Sequence, residues 1–506
     1  MNLNLFTMNT ESFWYAERTG TPFARLDRDL DVEVLVVGGG IAGVTAAYLL
    51  SAQGRSVALI ERGRIGGLNT GHTTAHLTYM TDTRLSDLVA TFSRKEARLA
   101  WEAGQAAIDL IEENVKRHSI DCGFHRVPGY LVASEQCDLA EETALLQQEA
   151  MVARQMGFEA YYLDAAPVTD RPGIRFEQQA KFHPLRYLDA LAREAVRQGA
   201  EIFEDTEVTR FEEGSVIAGG RMVKFQQVFV ATHVPLQGEG GMVGAALFQT
   251  KLALYSSYAV RARLSGNALP ELIWSDTADP FYYLRIEKDD QGLSCVFGGE
   301  DHKTGMEVHT ENRFQNLERQ LDRILPGAQV THRWSGQIVE TVDGLPYIGR
   351  TSDNQLLATG FSGNGMTFGT VAGMMVRDAI SKEDNAWGKL FDPGRKSASA
   401  LAEYLRENKD YPVRMITDRL KVEESDPASL ARGMGKVLEH DGERVAAYRD
   451  AAGNLTRCSA VCPHLGCIVA WNEAEQTWDC PCHGSRFHPT GELLAGPAEK
   501  GLEPLS

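Results

Sequence analysis

The chain has 506 residues, a length that suggests about three domains. Of these residues 43% are hydrophobic and 24% are charged, which is the composition of a globular protein. The 51 basic and 69 acidic residues give a net charge of −18, and Lys and Arg form no run. This balance excludes nucleic acid and anionic membrane surfaces as expected partners.

The first predicted elements are a strand, a turn, a helix and a second strand within residues 31–61. The apolar stretch 32–50 is interrupted by Glu33 and by four glycines, so it does not predict a membrane span. Residues 1–20 lack a basic start followed by an apolar run. We therefore expect no secretory signal and a cytoplasmic location.

The turn between this strand and helix has the pattern Gly38-x-Gly40-x-x-Gly43, and Glu61 ends the second strand, 18 residues after Gly43. Gly38 permits a tight turn, Gly40 lets the backbone approach a pyrophosphate, and Gly43 lets the helix pack closely on the sheet. Glu61 suits the hydroxyls of an unphosphorylated ribose. NAD and FAD share this fingerprint, so the turn by itself predicts a dinucleotide site without choosing between them.

Helices are predicted from about residue 83 to 155, interrupted by a strand at 124–134, and an amphipathic helix is predicted at 184–200. Strand-like runs follow in 201–233 and 246–330. A second glycine-rich turn, with Gly360, Gly363 and Gly365, precedes an apolar helix whose N-terminus would favour negative charge on a ligand. Residues 386–427 are polar and resemble a linker, and short strands separated by turns follow from residue 428.

The glycine-rich turn, Glu61, DGLPYIG (343–349) and GFSGNG (360–365) together resemble the D-amino-acid oxidase and glycine oxidase superfamily over about residues 30–385. The resemblance implies FAD as the cofactor and hydride transfer to it from a carbon next to nitrogen. One departure is His233, where family members often have glycine. The resemblance implies cofactor contacts at Gly38, Gly40, Ile41, Ala42, Gly43, Glu61, Arg62, Gly67, His72, Thr73, Val208, Ala231, Thr232, Gly344, Gly363, Asn364, Gly365 and Met366.

His72 lies eleven residues after Glu61, the spacing at which dimethylglycine and sarcosine dehydrogenases carry a histidine covalently joined to FAD. The alternative is a loop histidine hydrogen-bonded near the ring or the pyrophosphate. Both interpretations stay open on the sequence.

Five of the eight cysteines fall within residues 458–482, which indicates metal or redox chemistry rather than a secreted disulfide framework. Cys462-x-His464 is followed, after fifteen residues, by Cys480-x-x-His483. Two Cys and two His could bind zinc, but Cys467 and Cys482 are then surplus. The pattern resembles the Rieske domain over about residues 428–506. That resemblance implies a [2Fe-2S] cluster with Cys462 and Cys480 on one iron, His464 and His483 on the other, and a Cys467–Cys482 disulfide.

The substrate is the least determined feature. Glycine oxidase-like enzymes hold a substrate carboxylate with an arginine in W-x-G-x-R, but here that position is Ile338, after Trp334 and Gly336. The segment is closer to the amine-oxidising, gamma-glutamylputrescine oxidoreductase-like branch, so we expect a small amine or amino acid. Candidates for the substrate pocket are Tyr283, Arg285 and His302, each of which has packing or ion pairing as the alternative role.

We therefore predict an α/β FAD-binding Rossmann-like domain interleaved with a mixed-sheet substrate domain, plus a small all-β Rieske domain. The predicted divisions are 30–82, 176–245 and 331–385 for FAD binding, 83–175 and 246–330 for the substrate domain, 386–427 for the linker, and 428–506 for the Rieske domain.

The predicted function is oxidation of a C–N bond by hydride transfer to FAD, with electrons passed singly to the cluster and on to an external acceptor. One alternative is an electron-transfer module that serves a partner enzyme, although the single glycine-rich fingerprint argues against a separate nicotinamide site. The other is an amine oxidase that uses O2, with a structural or redox-sensing Rieske domain. The sequence leaves the oligomeric state open.

Overall fold

The computed structural model describes residues 10–234, 251–265, 269–289, 291–307, 309–395 and 425–505. Most of the predicted linker, residues 396–424, lies outside the described residues, as do residues 235–250 at the junction of two predicted domain segments. Within the described ranges, the helices are all too short or too polar to cross a bilayer.

Helices are interspersed among the strands as far as residue 381, and strands follow. The helices are α1 (Phe13–Ala16), α2 (Ile41–Ala52), α3 (Leu85–Thr91), α4 (Arg94–His118), α5 (Leu139–Gln155), α6 (Pro184–Arg197), α7 (Thr310–Ile324) and α8 (Gly365–Ser381). The strands of the first two sheets are β1 (Leu30–Val37), β2 (Val57–Ile60), β3 (His76–Leu77), β4 (His125–Val132), β5 (Ala160–Leu163), β6 (Gly173–Lys181), β7 (Glu201–Phe203), β8 (Val208–Glu212), β9 (Ser215–Ala218), β10 (Arg221–Val230), β11 (Leu252–Arg263), β12 (Leu272–Asp276), β13 (Tyr283–Asp289), β14 (Gly292–Lys303), β15 (Gln329–Thr341), β16 (Tyr347–Arg350) and β17 (Gln355–Thr359).

The first sheet has the order β16-β17-β10-β1-β2-β7, and β9 and β8 extend it from β10. Strands β17, β10, β1, β2 and β7 run parallel. The register sets Val37 opposite both Ile60 and Val230, so β1, β2 and β10 end at the same edge. In open parallel sheets, ligands bind at this carboxyl edge.

Helix α2 follows β1 directly and is buried on every side from Ile41 to Ser51. A helix that is apolar all round needs cover on all its faces. Helix α8 packs against one face of α2 and approaches it closely because Gly369 and Gly373 have no side chain. A Cβ on Gly369 would lie 2.5 Å from Ile41, and a Cβ on Gly373 would lie 2.6 Å from Thr45. The two glycine-rich turns are thus held side by side through their helices.

The second sheet has the order β15-β11-β14-β13-β12-β4-β6-β3, with β5 beside β6. Strand β15 pairs with β11 along its whole length, from Gln329 opposite Arg263 to Thr341 opposite Leu252. The segments 331–341, 176–181 and 76–77, which the sequence analysis assigns to FAD binding, therefore hydrogen-bond within the second sheet. This differs from the expected division, because an apolar strand pattern in the sequence does not reveal which neighbouring strand it pairs with.

The segment after residue 425 forms two small antiparallel sheets. One contains β18 (Met434–His440), β19 (Glu443–Arg449) and β20 (Leu455–Ser459), and the other β21 (Ala470–Asn472), β22 (Thr477–Asp479), β23 (Arg486–Phe487) and β24 (Leu493–Ala495). The predicted fold class is confirmed: an α/β dinucleotide-binding fold with a mixed second sheet, followed by a small all-β domain.

Candidate redox site

A deep cavity opens at the carboxyl edge of the first sheet, where the second sheet and the all-β domain meet it. Fifteen of the eighteen residues predicted to contact the cofactor line this cavity: Gly38, Gly40, Ile41, Ala42, Glu61, Arg62, Gly67, His72, Thr73, Val208, Ala231, Thr232, Gly363, Gly365 and Met366. They come from segments far apart in the chain. The structure therefore brings both glycine-rich turns into one site.

The other three predicted contacts lie off the cavity wall. Gly43 packs against the turn itself, since a Cβ on it would lie 2.0 Å from the Gly38 carbonyl oxygen. Gly344 has a φ of +79°, and a Cβ on it would lie 2.4 Å from Thr83 Oγ1. Asn364 is buried and donates to the Met80 carbonyl oxygen at 2.8 Å. These residues support the loops instead of lining the site.

The turn after β1 has the geometry that a dinucleotide needs. Gly38 has a φ of +110°, and Gly40 caps the N-terminus of α2. Glu61 accepts the Gly39 amide at 2.7 Å and the Gly63 amide at 2.8 Å, while burial raises its pKa. The side-chain-free cradle, the helix N-terminus and the carboxyl at the end of β2 fit the pyrophosphate and adenosine ribose of FAD.

His72 and His233 line the same cavity as neutral rings, because burial lowers the pKa of each to about 4. His72 donates through Nδ1 to the Leu68 carbonyl oxygen at 2.9 Å, which leaves the Nε2 lone pair available. His233 has a φ of +67°, a conformation that favours glycine. This explains structurally why a glycine is common at the position in the family that the sequence resembles.

Two loops of the all-β domain carry the predicted iron ligands. The loop after β20 contains Cys462 and His464, and the loop after β22 contains Cys480 and His483. The Cys462 and Cys480 thiols lie within hydrogen-bonding distance of each other, and the two imidazole centroids are 4.6 Å apart. Thiols and imidazoles thus form two adjacent pairs.

A disulfide joins Cys467 to Cys482 and ties the two ligand loops together. These two sulfurs are therefore not available as metal ligands, although they lie close to Cys480. One sulfur pair and one nitrogen pair, in loops locked by a disulfide, fit the two irons of a Rieske [2Fe-2S] cluster.

The all-β domain is docked on the rest of the chain beside the FAD cavity. Gln337 Nε2 donates to the Gly484 carbonyl oxygen at 2.8 Å, and Thr10 Oγ1 donates to Glu475 at 2.8 Å. Arg62 donates to the Leu494 carbonyl oxygen. Four residues of this domain complete the cavity wall: Leu493, Ala495, Gly496 and Glu499. The sequence analysis missed these contacts because no local motif marks them.

The three candidates for substrate contact lie in different surroundings. Tyr283 hydrogen-bonds through its hydroxyl to Ser257 Oγ at 2.6 Å. The buried Arg285 donates to the carbonyl oxygens of Ala75 and Phe182 and to Glu287. His302 bonds to the Tyr258 hydroxyl at 3.0 Å and to the Lys303 carbonyl oxygen. The polar atoms of Arg285 and His302 therefore hold neighbouring segments together, and the Tyr283 hydroxyl lies near two further titratable groups.

Those further groups are two carboxyls that the sequence analysis missed, Asp82 and Asp301. Asp82 accepts the amide of Gly363, a residue of the cavity wall, at 2.7 Å. Asp301 hydrogen-bonds to Ser257, the partner of Tyr283, and the charges of Asp82 and Asp301 both act on the Tyr283 hydroxyl. Burial raises the pKa of Asp301 to about 7. Two buried carboxyls therefore lie close to each other, and one of them bonds to the second glycine-rich turn.

Comparisons with known proteins agree with this geometry. Residues 33–379 match the family model "FAD dependent oxidoreductase", and residues 421–506 match "Rieske [2Fe-2S] domain". The chain is 31% identical to the Rieske 2Fe-2S iron-sulfur protein YhfW of Bacillus subtilis (strain 168), over 98% of this chain and 97% of that protein.

Two further similar proteins cover about three quarters of this chain. Gamma-glutamylputrescine oxidoreductase of Escherichia coli (strain K12) is 24% identical over 74% of this chain and 89% of its own length. The crystal structure of glycine oxidase from Geobacillus kaustophilus superposes with a TM-score of 0.61 and 20% identity, over 72% of this chain and 99% of that chain. The latter likeness concerns the fold.

The family match, the dinucleotide cradle and the paired ligand loops lead to one conclusion. The chain belongs to the FAD dependent oxidoreductase family and joins its FAD-binding fold to a Rieske [2Fe-2S] domain.

Proposed function

We propose that the chain oxidises a small amine at a carbon–nitrogen bond and delivers the electrons one at a time, through its own Rieske domain, to an external one-electron acceptor. Oxidation of an amine to an imine releases two electrons and two protons, so each turnover reduces two acceptor molecules. When bound, FAD accepts the two electrons together and the [2Fe-2S] cluster passes them on singly.

The observation that carries this proposal is the position of the second cluster loop. Its Gly484 carbonyl oxygen accepts from Gln337, and Gln337 also lines the FAD cavity. A domain that served only a distant partner would have no need of such a contact. The arrangement supports transfer within one chain, since the two redox sites share a wall.

An amine is favoured as substrate by the charges near the second glycine-rich turn. Ile338 lines the cavity at the position where the resembling amino-acid oxidases have a carboxylate-binding arginine. Asp82 bonds to Gly363 of the cavity wall, the charges of Asp82 and Asp301 both act on Tyr283, and carboxylates attract a protonated amine. The similarity to a protein named gamma-glutamylputrescine oxidoreductase supports the same substrate class.

The Asp301 carboxyl predicts a pH dependence of substrate binding. Because burial raises the pKa of Asp301 to about 7, this carboxyl becomes neutral as the pH falls below 7 and its attraction for a cationic amine is lost. We expect KM to rise below pH 7 in the natural protein. In Asp301→Asn, KM above pH 7 should be raised by on the order of tenfold to a hundredfold, about 1.5–3 kcal/mol, whereas KM below pH 7 should approach that of the natural protein, so that this pH dependence disappears.

Asp276→Asn is the matched control for that measurement. Asp276 is also buried, burial raises its pKa to about 6, and it accepts the amides of Ala278 and Tyr282. Steady-state kinetics from pH 5.5 to 9 should therefore retain the wild-type pH profile in this variant. If the pH profile of KM were unchanged in Asp301→Asn, Asp301 would not take part in substrate binding.

The proposed function is tested by anaerobic mixing of the holoprotein with primary, secondary and methylated amines. Flavin bleaching is followed by absorbance, and cluster reduction by electron paramagnetic resonance. Bleaching by one amine, followed by the reduced Rieske signal, is the expected result. If dithionite reduces both centres and no amine does, the result favours the alternative that the chain is an electron-transfer module serving a partner enzyme. If an amine bleaches the flavin while the cluster stays oxidised during turnover with O2, the result favours the alternative that the chain is an amine oxidase that uses O2.

A further inference from the structure

We propose that Gln337 is the positioning residue that holds the second cluster loop against the FAD cavity and so sets the rate of electron transfer between the two sites. This inference rests on the proposed function and deepens it, because it assigns the transfer contact to one side chain. Three features support this role of Gln337: its hydrogen bonds, the tight packing of the loop and the burial of the amide.

The backbone of Gln337 is tied to the FAD cavity. Its amide donates to Asn69 Oδ1 at 3.0 Å, and the His233 ring hydrogen-bonds to its backbone. Asn69 and His233 both line the cavity. The position of this residue in β15 is therefore fixed from the cofactor side.

The side chain of Gln337 points the other way, into the Rieske domain. Its Nε2 donates to Gly484 at 2.8 Å and to Thr304 Oγ1 at 3.3 Å. Gly484 follows the ligand His483, and its own amide donates to the carbonyl oxygen of the ligand Cys480 at 2.9 Å. One side chain thus connects the cavity wall to the turn that carries two cluster ligands.

The loop has no free space at this contact. Gly484 has a φ of +68°, and a Cβ on it would lie 2.6 Å from the Leu254 Cβ and 3.2 Å from Gln337 Nε2. The loop backbone is therefore in direct contact with β11 and β15. A shift of the Gln337 amide would be transmitted to the ligand turn.

The Gln337 side chain is 3% exposed, and its Oε1 atom has no hydrogen-bond partner within the described part of the chain. A buried polar atom without a partner disfavours folding, so an apolar residue of similar size would pack here at least as well. The donor to Gly484 is what such an apolar residue would lack. This points to a positioning role rather than one of filling space.

The test compares the holoproteins of the natural sequence, Gln337→Met and Thr304→Val. Methionine keeps the length and volume of glutamine and removes the donor. Thr304→Val removes the other partner of Nε2 and leaves the Gly484 bond in place, so it is the matched control. The flavin is reduced photochemically without oxygen, which makes the measurement independent of the amine, and the growth of the reduced Rieske signal is timed.

We expect Gln337→Met to slow cluster reduction by on the order of tenfold or more, as misplaced reacting groups do, and Thr304→Val to remain near the wild-type rate. Direct reduction of the cluster by dithionite should be equal in all three proteins. Hydrogen–deuterium exchange should rise at residues 480–485 only in Gln337→Met.

The two proposals fail in different ways. If the natural protein passes no electron from its photoreduced flavin to the cluster, the proposed electron route is wrong. If it does so and Gln337→Met is equally fast, with unchanged exchange at 480–485, the role assigned to Gln337 is overturned.

Discussion

Substitution of Gly43 by alanine is expected to give a protein that no longer retains FAD on purification. A Cβ at this position would lie 2.0 Å from the Gly38 carbonyl oxygen and 3.2 Å from Val36. The Gly38 oxygen is backbone, so it cannot rotate away, and α2 must move off the turn that faces the pyrophosphate. Overpacking costs about 1–3 kcal/mol, so we expect FAD affinity to fall by on the order of a hundredfold.

Flavin absorbance per chain and equilibrium dialysis measure this effect. Ala47→Gly is the matched control, because it destabilises the same helix by about 1 kcal/mol and leaves the turn untouched. Ala47 is buried one turn further along α2. Equal flavin content in the two variants would show that the close contact of Gly43 with Gly38 is not needed for FAD binding.

The two cofactor sites were predictable because their chemistry restricts residues that are near each other in the sequence. A pyrophosphate needs glycine at fixed intervals between a strand and a helix, which gives the pattern at Gly38, Gly40 and Gly43. A Rieske cluster needs two Cys and two His in two short loops, which gives the pattern from Cys462 to His483. In each case the structure shows local geometry that suits the predicted group.

The substrate wall was harder to predict because its parts are far apart in the chain. Arg285 and His302 have the right chemistry for a substrate contact, but their polar atoms bond to Phe182, Glu287 and Tyr258. Asp82 and Asp301 belong to no motif. Only the tertiary structure brings them near Tyr283.

The docking of the Rieske domain was not predictable from the sequence. Its contacts join Thr10 to Glu475 and Gln337 to Gly484, and each pair is separated by more than a hundred residues. Buried polar contacts of this kind depend on the shape of both partners. No local pattern in the sequence distinguishes such a glutamine from one on the surface.

Insertion of one methyl group at Gly305 is expected to displace the cluster from the FAD site. Gly305 lies in the turn after β14, and a Cβ on it would lie 2.7 Å from Pro481 N and 2.8 Å from Cys480 C. These are backbone atoms of the second cluster loop. In Gly305→Ala the loop must move, and because electron transfer slows as the distance between the two centres grows, cluster reduction should slow several-fold.

Gly327→Ala separates that displacement from backbone strain. The φ of Gly327 is +79° and that of Gly305 is +78°, so alanine is disfavoured by about the same 1–2 kcal/mol at both positions. Around Gly327, however, the nearest atom to a Cβ is Ser265 Oγ at 3.7 Å. Gly305→Ala should therefore lose at least as much thermal stability as Gly327→Ala, while cluster reduction after flavin photoreduction slows only in Gly305→Ala. If both variants kept the wild-type rate, contact between the β14 turn and the cluster loop would not control transfer, and the two sites would have to communicate through another face of the Rieske domain.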